Sequence, residues 1–331
     1  MQIIDYNAIE KNALFFKRLV GESKLCAVLK NNAYGHGLTH VARHIVGVVD
    51  CFAVGTIDEA EQLLPLHKDI LILLPQNERN TVRAIKSNCI LTVDSFFTLN
   101  LVDTVARSLN KTARVHIKID SGMSRLGFQY ADIGELLQLL CNSNLEVEGI
   151  FSHFYGDTEP ECDAQFRKFE LCFKEFEQRL GFSVVKHIAN SGAALLSSKY
   201  HLDMVRVGLG LYGYGNDSLL PAKRVNADVI SVKRAVAGSV VGYGAKYVCT
   251  SDTNIATLNV GYATGLSRTL IGSKVQIGNN LYPIVAICMA MTLVDVGDAE
   301  ISVGEVATLL GQGVNIANDQ VIIYELLCNL K

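Results

Sequence analysis

No apolar run in this chain is long enough to cross a bilayer, no two cysteines stand at C-x-x-C spacing, and neither sign of charge dominates. A membrane-spanning helix needs roughly 20 successive apolar residues, so that class is not expected. Met1 to Phe16 carries Asp5 and Glu10 where a secretory signal would be apolar, and a cytoplasmic protein is expected instead. The nine cysteines are odd in number; without paired spacing they argue against a disulfide framework or a zinc knuckle and read as buried free thiols in a reducing compartment. A net charge of -3 gives no general attraction for nucleic acid or an anionic membrane. Charged residues are 19% and hydrophobic ones 49%, which leaves little room for disorder. The 331 residues suit one large domain and a smaller one.

What the chain does contain is a rhythm. After a strand-like Met1 to Asp5 and a helical pattern over Tyr6 to Val20, short apolar runs recur at 25–29, 51–54, 70–74, 90–93, 114–119, 147–151, 184–189 and 204–207. Helical patterns lie between them, with start signals at Thr56 and Glu59 and at Asp94 or Ser95. Eight strands alternating with helices indicate an α/β fold, a (β/α)8 barrel over residues 1–222 whose first few residues could join the next domain. Near Pro221 the pattern changes to closely spaced β segments: 225–236, 240–249, 255–260, 275–277, 282–296 and 305–310. Period-2 alternation without helices predicts a C-terminal β-rich domain over 223–331, closed by a short helix around 321–327.

Polar residues at the carboxyl ends of barrel strands are candidates for function. The first strand ends at Lys30, which a partly apolar pocket would turn into a Schiff-base nucleophile, although a solvated strand-end lysine has the same pattern. The fifth strand runs into Lys118, Asp120 and Arg125, the sixth into His153 and Asp157, the seventh into Asn190 and Ser191, and the eighth into Arg206, Gly208 and Leu209. Small residues after strands seven and eight, with Ser191 at a helix start, fit a phosphate cup. Arg206 between two valines needs an acceptor or anion. His187, flanked by apolar residues, reads more as a hydrogen-bonded core histidine than as a catalyst. Two further patterns are set aside. Gly208–Gly213 matches G-x-G-x-x-G but lacks the helix that a dinucleotide fingerprint requires. His36, His40 and His44 lie at i, i+4, i+8 without a completing ligand, so no metal site is expected.

The segment Ala27-Val-Leu-Lys-Asn-Asn-Ala-Tyr-Gly-His-Gly37 closely resembles the pyridoxal-phosphate (PLP) signature of alanine racemases. Further matches run through Lys118-Ile-Asp-Ser-Gly-Met-Ser-Arg125, Ser152-His153-Phe154, Ala189-Asn190-Ser191, Val205-Arg206-Val207-Gly208, Gly242-Tyr243-Gly244, Gly261-Tyr262-Ala263, Cys288-Met289 and Tyr324-Glu325. The resemblance implies a PLP barrel followed by a β domain. It also implies a homodimer with shared active sites, a small amino-acid substrate, and D-alanine made for cell-wall peptidoglycan. Lys30 would hold PLP; Tyr34, Ser191, Tyr324, Gly208 and Leu209 would grip its phosphate; Arg206 would face the pyridine nitrogen, with His153 and Asn190 also lining the cofactor. Inverting a stereocentre needs an acid/base group on each face. Lys30 would serve one, and Tyr243, from the second subunit, the other. Arg125, oriented by a carbamylated Lys118, Met289 and Tyr262 would contact the substrate.

Four positions depart from the family pattern, one of them the entrance aspartate, which stands one residue early as Asp157. Ala286 and Ala290 stand where the family has an arginine and an aspartate, and Thr264 replaces another aspartate. Loss of these charges would widen the entrance, so a serine or broad-specificity racemase is an alternative to an alanine racemase. A PLP-binding protein without turnover is a third reading, against which Tyr243 speaks.

Overall fold

The structure, a computed structural model, describes residues 1–311 and 313–330. Contacts divide the chain into two units: Tyr6–Ala33 with Gly37–Leu220, and Met1–Asp5 with Tyr34–His36 and everything from Pro221 onward. The family-signature segment is therefore split between them.

The strands, in chain order, are β1 (Gln2–Ile4), β2 (Lys24–Val28), β3 (Cys51–Val54), β4 (Asp69–Ile72), β5 (Ile90–Val93), β6 (Ala113–Lys118), β7 (Leu145–Phe151), β8 (Val185–His187) and β9 (Met204–Val207). β2 to β8 pair in parallel with their sequence neighbours and β9 pairs with β2. Backbone bonds from Asp203 N to Lys186 O and from Arg206 N to Ala189 O, each 3.1 Å, tie β9 to the β8 segment. The result is the expected barrel. Its strands are covered on both faces and hence read as unbroken apolar runs rather than alternating ones; Leu25, Ala27, Phe52, Val54, Val115 and Ile117 are fully buried. Helix starts follow their local chemistry. Thr56 and Glu59 form a capping box at Ile57–Leu63, and Ser95 caps Phe96–Ser108.

The second unit continues with β10 (Lys223–Ala235), β11 (Val240–Val241), β12 (Tyr247–Val248), β13 (Thr253–Leu258), β14 (Lys274–Ile277), β15 (Asn280–Ile287), β16 (Thr292–Gly297), β17 (Val306–Gly311) and β18 (Val314–Asn315). The antiparallel ladder β10-β13-β16-β15-β14-β17 closes because β17 also pairs with β10. β10 serves both neighbours by shifting register between Val229 and Ser231, where a bulge bends the long strand. β1 adds to β10, which places Met1–Asp5 in this unit. Two expectations are corrected. Residues 240–249 are not one strand: a tight turn at Tyr243–Ala245, preceded by Gly242 and containing Gly244, both at positive φ, breaks them into two short strands. Residues 282–296 are two strands joined by a turn around Met289. The last helix spans Ile323–Asn329.

Candidate active site

β2 delivers Lys30 to a backbone that sequence periodicity could not foresee. Asn31, Asn32, Ala33 and Tyr34 have φ of 53–54° and Gly35 a φ of 76°, a left-handed turn in which only the last residue is glycine. Each such non-glycine residue costs roughly 1–2 kcal/mol, which asparagine tolerates better than most. Neighbouring groups hold the turn in place. Ala33 N bonds Leu29 O at 2.8 Å and Gly37 N bonds Asn32 O at 3.1 Å. The Asn32 side chain accepts from Leu38 N at 2.8 Å, and Asn32 N donates to Glu59 Oε1 at 3.1 Å. Glu59 thus serves a helix cap and this turn together. A strained turn held by this many bonds makes the position a candidate for function.

Arg206 stands on β9, beside β2, and is only 4% exposed. Its guanidinium donates to His187 Nδ1 at 2.6 Å, Ser152 O at 2.7 Å, Ile188 O at 3.2 Å and His153 Nδ1 at 3.3 Å. Arginine only donates, so both imidazoles must present a lone pair at Nδ1 and carry their proton on Nε2. His187 Nε2 then donates to His116 Nδ1 at 2.9 Å, which assigns His116 the same tautomer. Burial first and Arg206 second push all three imidazoles down, His116 to about 3 and His153 and His187 well below their ordinary value. The arginine itself is pushed down to about 10 by burial. The hydrogen-bond partners of its guanidinium are two neutral imidazoles and two backbone carbonyls. His187 is the hydrogen-bonded core residue expected, and it also orients Arg206.

The phosphate-cup candidates converge. The Ser191 hydroxyl accepts from Gly208 N and Gly210 N, both at 3.1 Å, while the Asn190 side chain caps the helix Ser191–Leu196 through Ala193 N at 3.0 Å. Gly210 admits no side chain, because a Cβ would overlap the Phe16 ring. Leu209–Tyr212 is a single 3-10 turn, not the helix of a dinucleotide fold.

Lys118, at the end of β6, is 7% exposed with its Nζ 4.4 Å from the centre of the Phe151 ring. Burial, then Arg206 and Arg125, push its ammonium well down. Lys118, Asp120, Arg125, Ser152 and His153 line one narrow cleft. Arg125 is exposed, as is Asp157.

The remaining candidates lie in the other unit. Tyr34 and Tyr324 have ring centres 6.0 Å apart, and burial raises both phenols. Tyr262 N bonds Cys288 O at 3.0 Å and Ala263 N bonds Met289 O at 2.9 Å, so the turns carrying Tyr262 and Met289 adjoin. Tyr243 is 80% exposed. Ala286 packs under its turn, 2.6 Å from where a Cβ on Gly242 would stand. His36 is 1% exposed and its Nδ1 lies 2.9 Å from Tyr34 O, whereas His40 and His44 stack near Tyr6.

Comparison with known proteins matches residues 4–216 to the alanine racemase N-terminal domain and 222–331 to the alanine racemase C-terminal domain. The chain belongs to the alanine racemase family. It is 34% identical over 328 residues to "Alanine racemase 2" of Caldanaerobacter subterraneus subsp. tengcongensis, covering 93% of this chain and 84% of the relative. It is 35% identical to the alanine racemase of Cutibacterium acnes, covering 93% and 87%. Among solved structures, an alanine racemase from D-cycloserine-producing Streptomyces lavendulae superposes with a TM-score of 0.91 at 30% identity, covering 100% of this chain and 94% of that one. The biosynthetic alanine racemase of Pseudomonas aeruginosa gives 0.89 at 29%, covering 100% and 96%.

Sequence reasoning missed three members of the candidate site. His116 lies between Val115 and Ile117, the same signal that singles out Arg206 between its two valines. Asn32 and Glu59 carry no such mark, because their value depends on a turn whose handedness only the folded chain shows. Among the described residues no helix is long and apolar enough to cross a membrane.

Proposed function

We propose that this chain is a PLP-dependent alanine racemase that interconverts L- and D-alanine, acting as a cytoplasmic homodimer and supplying D-alanine for cell-wall peptidoglycan. The observation that carries the reading is Arg206, a buried cation whose hydrogen-bond acceptors are neutral imidazoles and backbone carbonyls, on the strand beside the one that ends before Lys30. The residues fit the cofactor: Lys30 offers the amine, Ser191 with Gly208 and Leu209 a cradle for its phosphate, and Arg206 a charged donor for its pyridine nitrogen. PLP, when bound, supplies the electron sink that makes the substrate α-proton removable.

The protein's own groups would do the rest. Tyr34 and Tyr324 add phenol donors to the phosphate, and Asn190 keeps Ser191 at the helix start. Arg206 retains its charge because His187, His116 and His153 stay neutral, and a permanently charged partner disfavours protonation of the pyridine nitrogen. Such a ring is a weaker sink, which suits a reaction that only moves one proton. Lys30 would carry that proton at one face of the α-carbon and Tyr243 of a second copy at the other. Exposure of Tyr243 on its own subunit supports this lending. Arg125 would hold the substrate carboxylate, with Met289 and Tyr262 beside it. Lys118, driven toward its neutral amine by burial and two arginines, is chemically able to carry the carbamate that would orient Arg125.

Purified protein incubated with PLP is expected to absorb in the visible through the lysine-bound cofactor and to convert L-alanine into a racemic mixture, followed by chiral chromatography. Lys30→Ala should abolish both signals. An unchanged spectrum in that variant, or no D-alanine from the wild type, would overturn the reading.

A further inference from the structure

The end of the helix Ile323–Asn329 is crowded from three directions, all within the C-terminal unit. A Cβ on Gly35, at φ 76°, would overlap Leu327 O, and one on Gly265, at φ 95°, would overlap Asn329 O. The third neighbour is Lys223, the first residue of β10, whose Nζ donates to Leu327 O at 2.7 Å and to Leu330 O at 2.6 Å. Lys223 is 1% exposed.

The last carbonyls of a helix have no intrahelical donor and, when buried, must find one elsewhere. A cation is doubly suited, since it also meets the negative end of the helix dipole. The two glycines close against the same carbonyl cluster. Gly35 ends the left-handed turn that begins after Lys30, and Gln2 Nε2 adds a bond to Gly35 O at 3.1 Å. Gly265 ends the turn Tyr262–Thr264. Tyr324 lies one helical turn before Leu327, with its ring against Tyr34. One helix end therefore seats two turns that carry candidate site residues.

We propose that Lys223 is a remote positioning residue: its ammonium holds the terminal carbonyls of this helix where they fix two turns, the one ending at Gly35 and the one ending at Gly265, which carries Tyr262. The proposal rests on the racemase reading only for what those turns are for. Without the ammonium, Leu327 O and Leu330 O must shift to find other donors. Tyr324 moves with them, and both glycine turns lose the surface they close on. Burial pushes the Lys223 ammonium down to about 8, the cost of keeping a cation at this place. Replacing Lys223 by an apolar side chain leaves two buried carbonyls without this donor, a cost that falls on the helix end itself, so local order is the quantity to read.

Hydrogen exchange followed by mass spectrometry, on protein supplied with PLP, tests this in wild type, Lys223→Met, Lys223→Gln and Lys223→Arg. In Lys223→Met, amides of 31–37 and 261–266 should exchange about tenfold faster, the scale set by losing one charge-assisted hydrogen bond. Amides of β2–β9 should be unchanged. PLP should dissociate faster by a similar factor, and Lys223→Arg should restore both readouts. Lys223→Gln keeps a donor, should fall between, and stands in if Lys223→Met does not fold. Unchanged exchange at both turns, or equal acceleration along the whole chain, overturns the proposal. A wild type that binds no PLP sinks the racemase reading, while the exchange contrast still decides the role of Lys223.

Discussion

Gly149 on β7 is a direct handle on the imidazole network. A Cβ at this position would lie 2.7 Å from Cε1 and Nε2 of His116 and 2.8 Å from its Nδ1. Ordinary carbon contacts begin near 3.4 Å, so in Gly149→Ala the ring must retreat by about 0.7 Å. The His116–His187 bond, now 2.9 Å, would open to about 3.6 Å, beyond hydrogen-bonding range. Losing a buried pair costs about 1–2 kcal/mol and overpacking about 1–3 kcal/mol, so the variant should be destabilised by about 2–5 kcal/mol. Urea unfolding measures this. In Gly149→Ala with His116→Ala the new methyl enters space vacated by the ring, so the pair should be less destabilising than the sum by at least about 1 kcal/mol. Nitrogen-15 NMR of the histidines provides the chemical readout: His187 should be neutral and protonated at Nε2 in the wild type. A cost below about 0.5 kcal/mol, strict additivity, or the opposite tautomer at His187 would refute the network as drawn.

Two other outcomes follow from the same site. The histidines 116, 153 and 187 titrate lower in the fold than in the unfolded chain. Below the ordinary pKa near 6.5 the unfolded state therefore binds more protons, and stability present above that pH should be lost as pH falls toward about 3; unfolding free energy measured between pH 7.5 and 4 should fall less steeply in His116→Gln, and equal slopes would contradict a neutral buried His116. Tyr243→Phe should retain PLP yet slow release of the α-proton from one alanine enantiomer far more than from the other, measured by solvent deuterium exchange; equal slowing would argue against a two-base assignment.

Much of the architecture was legible because it depends on local signals. Parallel strands buried on both faces must be short and apolar, so 51–54, 90–93 and 204–207 could be read at the bounds they adopt. Thr56 and Ser95 cap helices because a hydroxyl reaches orphan amides within three residues. The expectation failed where geometry reverses over a few residues. Residues 240–249 alternate like a strand, but Gly242 and Gly244 at positive φ turn the chain at Tyr243. The closed β ladder also depends on β10 pairing with β17, some eighty residues away, which no local pattern announces.

What the sequence by itself determined is therefore the set of chemical groups and the strand ends that carry them: Lys30, Lys118, His153, Ser191 and Arg206 follow from alternation, burial and motif. What only the tertiary structure decided is how those groups are conditioned. The neutrality of His116, His187 and His153 depends on burial and on a guanidinium contributed by β9, the left-handed turn after Lys30 depends on Glu59 from the helix Ile57–Leu63, and the seating of Gly35 depends on carbonyls near the chain end. Each is a contact between residues far apart in sequence, and burial makes it strong by removing the water that would otherwise compete.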